Sequence, residues 1–386
     1  MLVLNMTSET IRKRINSIDA MRGIVIIIML LDHVRERVFL HVPLADPMVI
    51  ETTTEGLFFG RLLAHFCAPT FVFLTGLSAW LFAQSRDHDL SATRGFLLKR
   101  GVFLVFLEIV VINFSWMGHY ETLYLQVIWA IGLSMLALAC CVSWPRWLLL
   151  SVGGVIVAGH NLLSPISFEM GHWFYPVWTI LHDRGMLLES DLLNIRASYP
   201  VLPWIGIILL GYAAGPLYAQ TMAASTRQRA LLALGLGSLA LFVLLRSNNF
   251  YGEPSLWQHY ASLPQTLMSF FNLTKYPPSL NFSLLTLGGM FLGLLILERY
   301  ETKANKILSV YGGAPMFVYI VHLYFLLIAY SICYSIWGPN KGVYFGVDEV
   351  WQLWLISGLL TLALYKPTKA FERYKRASTQ AWIKYL

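Results

Sequence analysis

The chain alternates between long apolar stretches and shorter polar ones. Most of the apolar stretches approach the ~20 residues that carry a helix across a bilayer. Ten such segments are predicted, at 16–38, 57–83, 99–117, 123–143, 146–162, 200–219, 229–246, 279–298, 314–337 and 350–366. A shorter apolar piece, 264–273, reads as an interfacial or re-entrant helix; if it crossed, the count would become eleven and everything after it would invert. The pattern predicts an all-α integral membrane protein, a polytopic bundle of about ten, or eleven, transmembrane helices. Residues 1–15 are expected to be a cytoplasmic N-terminal tail, 16–366 the transmembrane domain and 367–386 a basic cytoplasmic C-terminal tail. Neither an internal repeat nor a soluble domain is visible.

Composition agrees with the pattern. Of 386 residues, 57% are hydrophobic and 13% charged, against roughly 45–50% and about 25% in soluble domains. So little charge cannot cover a water-soluble globule of this size. With 28 Gly, 16 Pro and 4 Cys, collagen-like, disordered and disulfide-scaffold classes also fall away. Cys67, Cys140, Cys141 and Cys333 all lie in apolar runs without ligand spacing and are expected to be buried thiols.

The net charge is +7. With the N-terminus in the cytoplasm, the inner segments collect most of the 28 Lys and Arg, so both termini are expected inside. Nucleic acid is excluded as a partner, because no basic, aromatic-interleaved soluble domain exists. Arg12, Lys13 and Arg14 precede the first apolar run, but no small-residue cleavage site follows it, so that run reads as a permanent helix. The long outer loops carry aromatic clusters, Trp173, Phe174, Tyr175 and Trp178 in one and Phe250, Tyr251, Trp257 and Tyr260 in the other. They fit an aromatic belt at the headgroups or a lid that stacks on carbohydrate.

The first helix is the unusual one. Charge inside a membrane is costly and marks candidate function, and this helix holds Ser17, Asp19, Arg22, Asp32 and His33. Arg22 and His33 are eleven residues apart, close to three full turns, so both face one way and stand roughly 16 Å apart along the axis. Arg22 could equally be an inner anchor paired with Asp19, and His33 a histidine hydrogen-bonded to a neighbouring helix. Asp32 could support His33, although adjacent helical residues point ~100° apart. It is better placed to bond Arg35 or another helix. Partners for His33 are sought elsewhere, among His65, Arg61, Glu108, Asn113, Tyr319 and His322. His65 and His322 each lie ~12 Å in from a helix end, deep enough to line one shaft with His33. With no spacing such as His-x3-His, no metal ligand set is read.

These residues also carry a resemblance. The run Arg14-Ile-Asn-Ser-Ile-Asp19-Ala-Met-Arg22-Gly23-Ile24, with Met29 and Asp32-His33, resembles the first helix of transmembrane acyltransferases. It is most similar to the bacterial membrane family related to the heparan-α-glucosaminide N-acetyltransferase catalytic domain. His65-Phe-Cys-Ala-Pro69-Thr-Phe-Val-Phe-Leu-Thr-Gly76, Tyr199-Pro-Val-Leu-Pro203-Trp204-Ile-Gly, Leu210-Gly211-Tyr212, Lys275-Tyr276-Pro277-Pro278-Ser279-Leu280 and Tyr311-Gly-Gly-Ala-Pro315 with His322 resemble later parts of that family, in order. The resemblance implies that His33, eleven residues after Arg22, transfers an acyl group from cytosolic acyl-CoA to an extracytoplasmic sugar or glycan. Animal members carry Asn at the His33 position, with their proposed catalytic His in the following loop, where His41 stands here.

On this basis the expected catalytic set is His33, Asp32, His65 and His322. Arg22, Lys99 and Arg100 would hold the donor's phosphates. Lys275, Tyr276 and His41 would meet the acceptor. The expected ligands are acetyl-CoA or another acyl-CoA as donor substrate and a sugar or glycan acceptor. No permanently bound cofactor and no metal are expected. The setting is the lipid bilayer, as in a bacterial inner membrane, with a homo-oligomer left open. Two other readings use the same buried polar residues: a transporter or flippase for a sugar-linked or lipid-linked solute, and a non-catalytic subunit of an envelope-polymer machine.

Overall fold

A computed structural model gives the elements that the apolar runs become. It describes residues 2–380 and 382–385, with side chains from residue 16 onward except at 384. Arg12, Lys13 and Arg14 therefore lie outside the described side chains. In chain order the first elements are α1 (Leu2–Val38), α2 (Glu55–Ala64), α3 (Cys67–Gln84), α4 (Leu90–Leu107), a π-helical turn (Glu108–Ile112), α5 (Asn113–Met117), β1 (Thr122–Leu125), α6 (Val127–Cys141) and α7 (Arg146–Gly159). After them come α8 (Tyr175–Leu181), β2 (Gly185–Leu188), β3 (Asn194–Ala197), α9 (Leu202–Ala213), α10 (Ala224–Ser247) and α11 (Leu263–Phe271). The chain closes with α12 (Leu280–Arg299), α13 (Lys303–Gly313), α14 (Pro315–Trp337) and α15 (Val350–Ala377).

The protein is a helical membrane protein. Five described helical segments are long and apolar enough to cross a bilayer: Glu55–Gln84, Arg146–Leu163, Ala224–Ser247, Leu280–Arg299 and Pro315–Trp337. The expected count of about ten is not reached on these grounds, for physical reasons. α6 is 15 residues long, and α9 with the turn that follows it, Leu202–Tyr218, is still shorter than the spans above; at about 1.5 Å per residue both fall short of a hydrocarbon core of about 30 Å. α1 is long enough but carries Asp19, Arg22, Asp32, Arg35, Glu36 and Arg37. α11 has nine residues, about 14 Å, too short to supply an eleventh crossing by itself.

The all-α expectation is corrected by a three-stranded sheet in the order β1-β3-β2. β1 pairs parallel to β3, Thr122 opposite Asn194 and Leu125 opposite Ala197, and β2 pairs antiparallel to β3. The segment read as a helix from 123 therefore begins as a strand, and helix starts only at Val127. Asn113 fixes the join: its side chain donates to the Tyr124 carbonyl and accepts from the Tyr124 N–H. The 57–83 segment is likewise broken at His65 and Phe66. The ring of Pro69 clashes with the carbonyl of residue 65 and leaves it without its helical donor.

Chain contacts divide the molecule into two units. The first comprises Met1–Cys67, Gln258–Phe271 and Gly289–Leu386. Within it α1 packs on α13, α14, α15 and α2. The α1–α13 approach is backbone on backbone. A Cβ on Gly23 would strike the Leu308 carbonyl, and one on Gly312 the Asp19 carbonyl. Cys67 is buried, its thiol donating to the Val25 carbonyl. The second unit comprises Ala68–Trp257 and Asn272–Gly288. It contains the sheet, with α4 against α6 and α6 and α7 against α9. Cys140 is exposed on α6 and Cys141 half-buried, as is Cys333 on α14. This corrects the expectation of four buried thiols, since an apolar run can face lipid as readily as a core.

Candidate functional site

α1 supplies two adjacent polar residues that serve different networks. His33 turns to α14. Its Nδ1 lies 2.7 Å from Nε2 of His322, and His322 Nδ1 lies 2.7 Å from the Val318 carbonyl oxygen, one turn back on its own helix. A carbonyl can only accept, so a neutral His322 keeps its proton on Nδ1 and its lone pair on Nε2. His33 then donates from Nδ1 and carries its own lone pair on Nε2. The two rings stack, with centroids 5.0 Å apart. Tyr319 meets both edge-on, at 5.6 and 5.7 Å. His33 and His322 are both buried.

Asp32 turns to α2. One carboxylate oxygen accepts from Arg35 Nε at 3.2 Å and the other from Arg61. Arg35 also donates to Glu36 at 2.8 Å. Arg61, a sequence candidate for His33, is thus found on Asp32. Asp32, Arg35 and Arg61 line a small cleft together with Leu57, Val350 and Trp354. Glu36 completes the network, 2.8 Å from Arg35 and 3.6 Å from Arg61, so two guanidinium groups meet two carboxylates, which fits burial of charge only as paired charge.

The other candidates in the first unit are spread along it. Arg22 pairs with Asp19 at 2.7 Å, three residues back. His65 is buried where the second helical segment breaks. His41 lies past the end of α1, its ring 4.6 Å from that of Phe39. Burial holds the His41 pKa down, the Lys341 charge adds to this, and Asp348 opposes it.

Lys99, Arg100, Lys275 and Tyr276 belong to the second unit. The Asp89 side chain caps α4 by accepting from the Ser91 and Ala92 N–H groups, so the helix starts nine residues before Lys99 rather than at it. Lys99 is exposed, and Arg100 lies 5.9 Å over the Phe96 ring. Glu108 is fully buried, one oxygen accepting from the N–H groups of Ile128 and Trp129 at the start of α6.

Lys275 and Tyr276 form an aromatic and cationic cluster. Lys275 Nζ lies 5.1 and 5.8 Å from the Tyr276 and Tyr199 rings, and Arg184 lies 4.5 Å over Tyr276. The Tyr276 hydroxyl donates to that of Tyr199 at 3.1 Å. The turn is held by Glu253, which accepts from Thr274 N–H and hydroxyl, Ser279 hydroxyl and Ser255 N–H. Burial raises the Glu253 pKa, and these hydrogen bonds pull it back. Arg184, Tyr199 and Glu253 were not picked out as site residues from the sequence. The one signal for them was Tyr199-Pro200 within a family-like run.

A family model described as heparan-alpha-glucosaminide N-acetyltransferase, catalytic, matches residues 14–248. The chain belongs to this family. No curated protein matches it. The acetyltransferase-family match spans Arg22, Asp32, His33, His41, His65, Lys99 and Arg100, and ends before Lys275, Tyr276 and His322. One ring of the histidine pair thus comes from the matched region and the other from beyond it. The family, with the apolar helices, makes this an integral membrane protein of the transmembrane acyltransferase type.

Proposed function

We propose that the protein transfers an acyl group, acetyl in the first instance, from cytosolic acyl-CoA to a sugar or glycan acceptor on the extracytoplasmic side. The carrying observation is the chain His33 Nδ1, His322 Nε2, His322 Nδ1, Val318 carbonyl. It orients His33 so that Nε2 can take a proton, the requirement for a general base. The acceptor oxygen or nitrogen attacks the thioester carbonyl carbon as His33 Nε2 removes its proton. The tetrahedral intermediate then expels the CoA thiolate, and the His33 imidazolium returns the proton to sulfur. Throughout, Nδ1–H stays on His322, so the second ring steadies the imidazolium without itself gaining charge.

Arg22 is the first unit's candidate for the donor's phosphates, with Asp19 fixing its direction. Lys275 and Tyr276, joined by Tyr199 and Arg184, are the second unit's candidates for the acceptor, because aromatic faces and cations suit sugar rings and their polar substituents. The reading includes both termini in the cytoplasm and a bacterial inner membrane. The test is purified protein with radiolabelled acetyl-CoA, following donor binding and CoA release in wild type, His33→Ala and His65→Ala. His33→Ala is expected to bind donor and to release CoA about 10²–10⁴-fold more slowly. Unchanged release would remove His33 from the chemistry. Solute uptake that survives His33→Ala, with no donor binding, would replace the enzyme by a transporter.

A further inference from the structure

α15 does not stop where its apolar stretch ends. It runs unbroken from Val350 through Pro367 to Ala377. Its buried positions are Leu353, Ser357, Leu360, Leu364 and Thr368, at helical spacing. One turn further, Phe371 stacks on Phe317 of α14 with ring centroids 4.3 Å apart. The extension past residue 366 is therefore seated on its neighbours along one side.

The other side is basic. Lys366, Lys369, Arg373 and Arg376 follow one another at intervals of three, four and three residues, which keeps them within roughly 80° of helix circumference. Lys366, Arg373 and Arg376 are exposed, and Lys369 is half-buried over the Tyr365 ring. Arg376 pairs with Glu372. Among the described residues, neither Lys366 nor Arg373 has a carboxylate at ion-pair distance. Tyr374 is 54% and Trp382 55% exposed, amphipathic rings of the kind that settle at headgroup level.

We propose that this stripe is a docking face for anionic phospholipid headgroups of the cytoplasmic leaflet. A juxtamembrane run of four or more basic residues meets the negative potential of that leaflet. A convex, exposed stripe that follows directly on an apolar helix matches a sheet of headgroups, whereas one soluble phosphate calls for a concave cradle. Lipid held there also clamps the end of α15 against the first helix. Lys375 reaches the Gly313 carbonyl of α13, and the Glu372–Arg376 pair lies within electrostatic reach of Asp19. The inference depends on the inward C-terminus and is independent of the acyl-transfer reading.

The test uses the full-length protein, delipidated in neutral detergent and titrated with phosphatidylglycerol or phosphatidylcholine, with bound lipid counted by native mass spectrometry. Wild type is compared with Lys366→Gln/Arg373→Gln. The control is Lys303→Gln/Lys306→Gln, an equal charge change at exposed positions on α13. Wild type and control are expected to retain phosphatidylglycerol over phosphatidylcholine, and the stripe variant to bind it about tenfold or more weakly. Lys366→Arg/Arg373→Lys should restore binding if the loss is one of charge and not of folding. Equal retention by wild type and the stripe variant would overturn the proposal. So would an equal loss in the control, or displacement of the lipid by soluble glycerophosphate at matched concentration.

Discussion

Asp32 and His33 are neighbours in sequence that answer to different helices: Arg61 of α2 holds Asp32, and His322 of α14 holds His33. Asp32 thus anchors one face of α1 while the adjacent residue is presented to another.

Asp32→Ala would leave Arg61 with the half-exposed Glu36 carboxylate, 3.6 Å away, in place of its close partner; stripping a buried charge of every partner costs about 3–5 kcal/mol, and Glu36 keeps the cost below that. The expected result is a clear fall in thermal midpoint in detergent, partly reversed in Asp32→Ala/Arg61→Ala. An Asp32→Ala protein of unchanged stability that released no CoA would place Asp32 in the chemistry instead.

His322→Ala removes the acceptor for His33 Nδ1–H and frees the ring to turn and change tautomer. Where a histidine ligates a metal, loss of its orienting partner costs about 10–100-fold, and an effect on that scale is expected here. CoA release is expected to slow by that amount, less than for His33→Ala, with the KM for acetyl-CoA unchanged. An equal loss in both variants would make the two rings joint participants.

Glu253 predicts a pH effect on the turn that carries Lys275 and Tyr276. Its folded pKa is raised by burial, so the folded state binds a proton more readily than the unfolded one. This group's contribution is fully present below the ordinary glutamate range and is lost as pH rises through the raised folded value. Protection of the Thr274 amide, measured against its intrinsic exchange rate at each pH, should therefore fall over that interval in wild type, and Glu253→Gln should flatten the dependence. A dependence that survived in Glu253→Gln would assign it to another group.

Much of this arrangement could be read from residue order. The apolar runs gave the helices, and the Arg22–His33 spacing singled out α1. The Asp19–Arg22 contact follows from helical spacing alone. The sheet could not be read: its strands are four residues each, too short for alternation to stand out, and β1 finds its partner some 70 residues later. The break at His65 was hidden because hydropathy stays high across it, although Pro69 stood in the run. His33 and His322 are 289 positions apart. Depth estimates could place both at mid-membrane, but only packing of α1 on α14 sets one ring against the other.

The meeting of α1 and α13 through Gly23 and Gly312 carries a mechanical consequence. With main chain lying directly on main chain, no flexible side chain cushions the joint, and close-packed interiors transmit strain rather than absorb it. The two helices behave as one strut, so Asp19 and Arg22 travel with Leu308 and Gly312 as a fixed block. Any opening between α1 and its other neighbours must come from hinges elsewhere in the chain, and a methyl group added at Gly23 would wedge the strut apart.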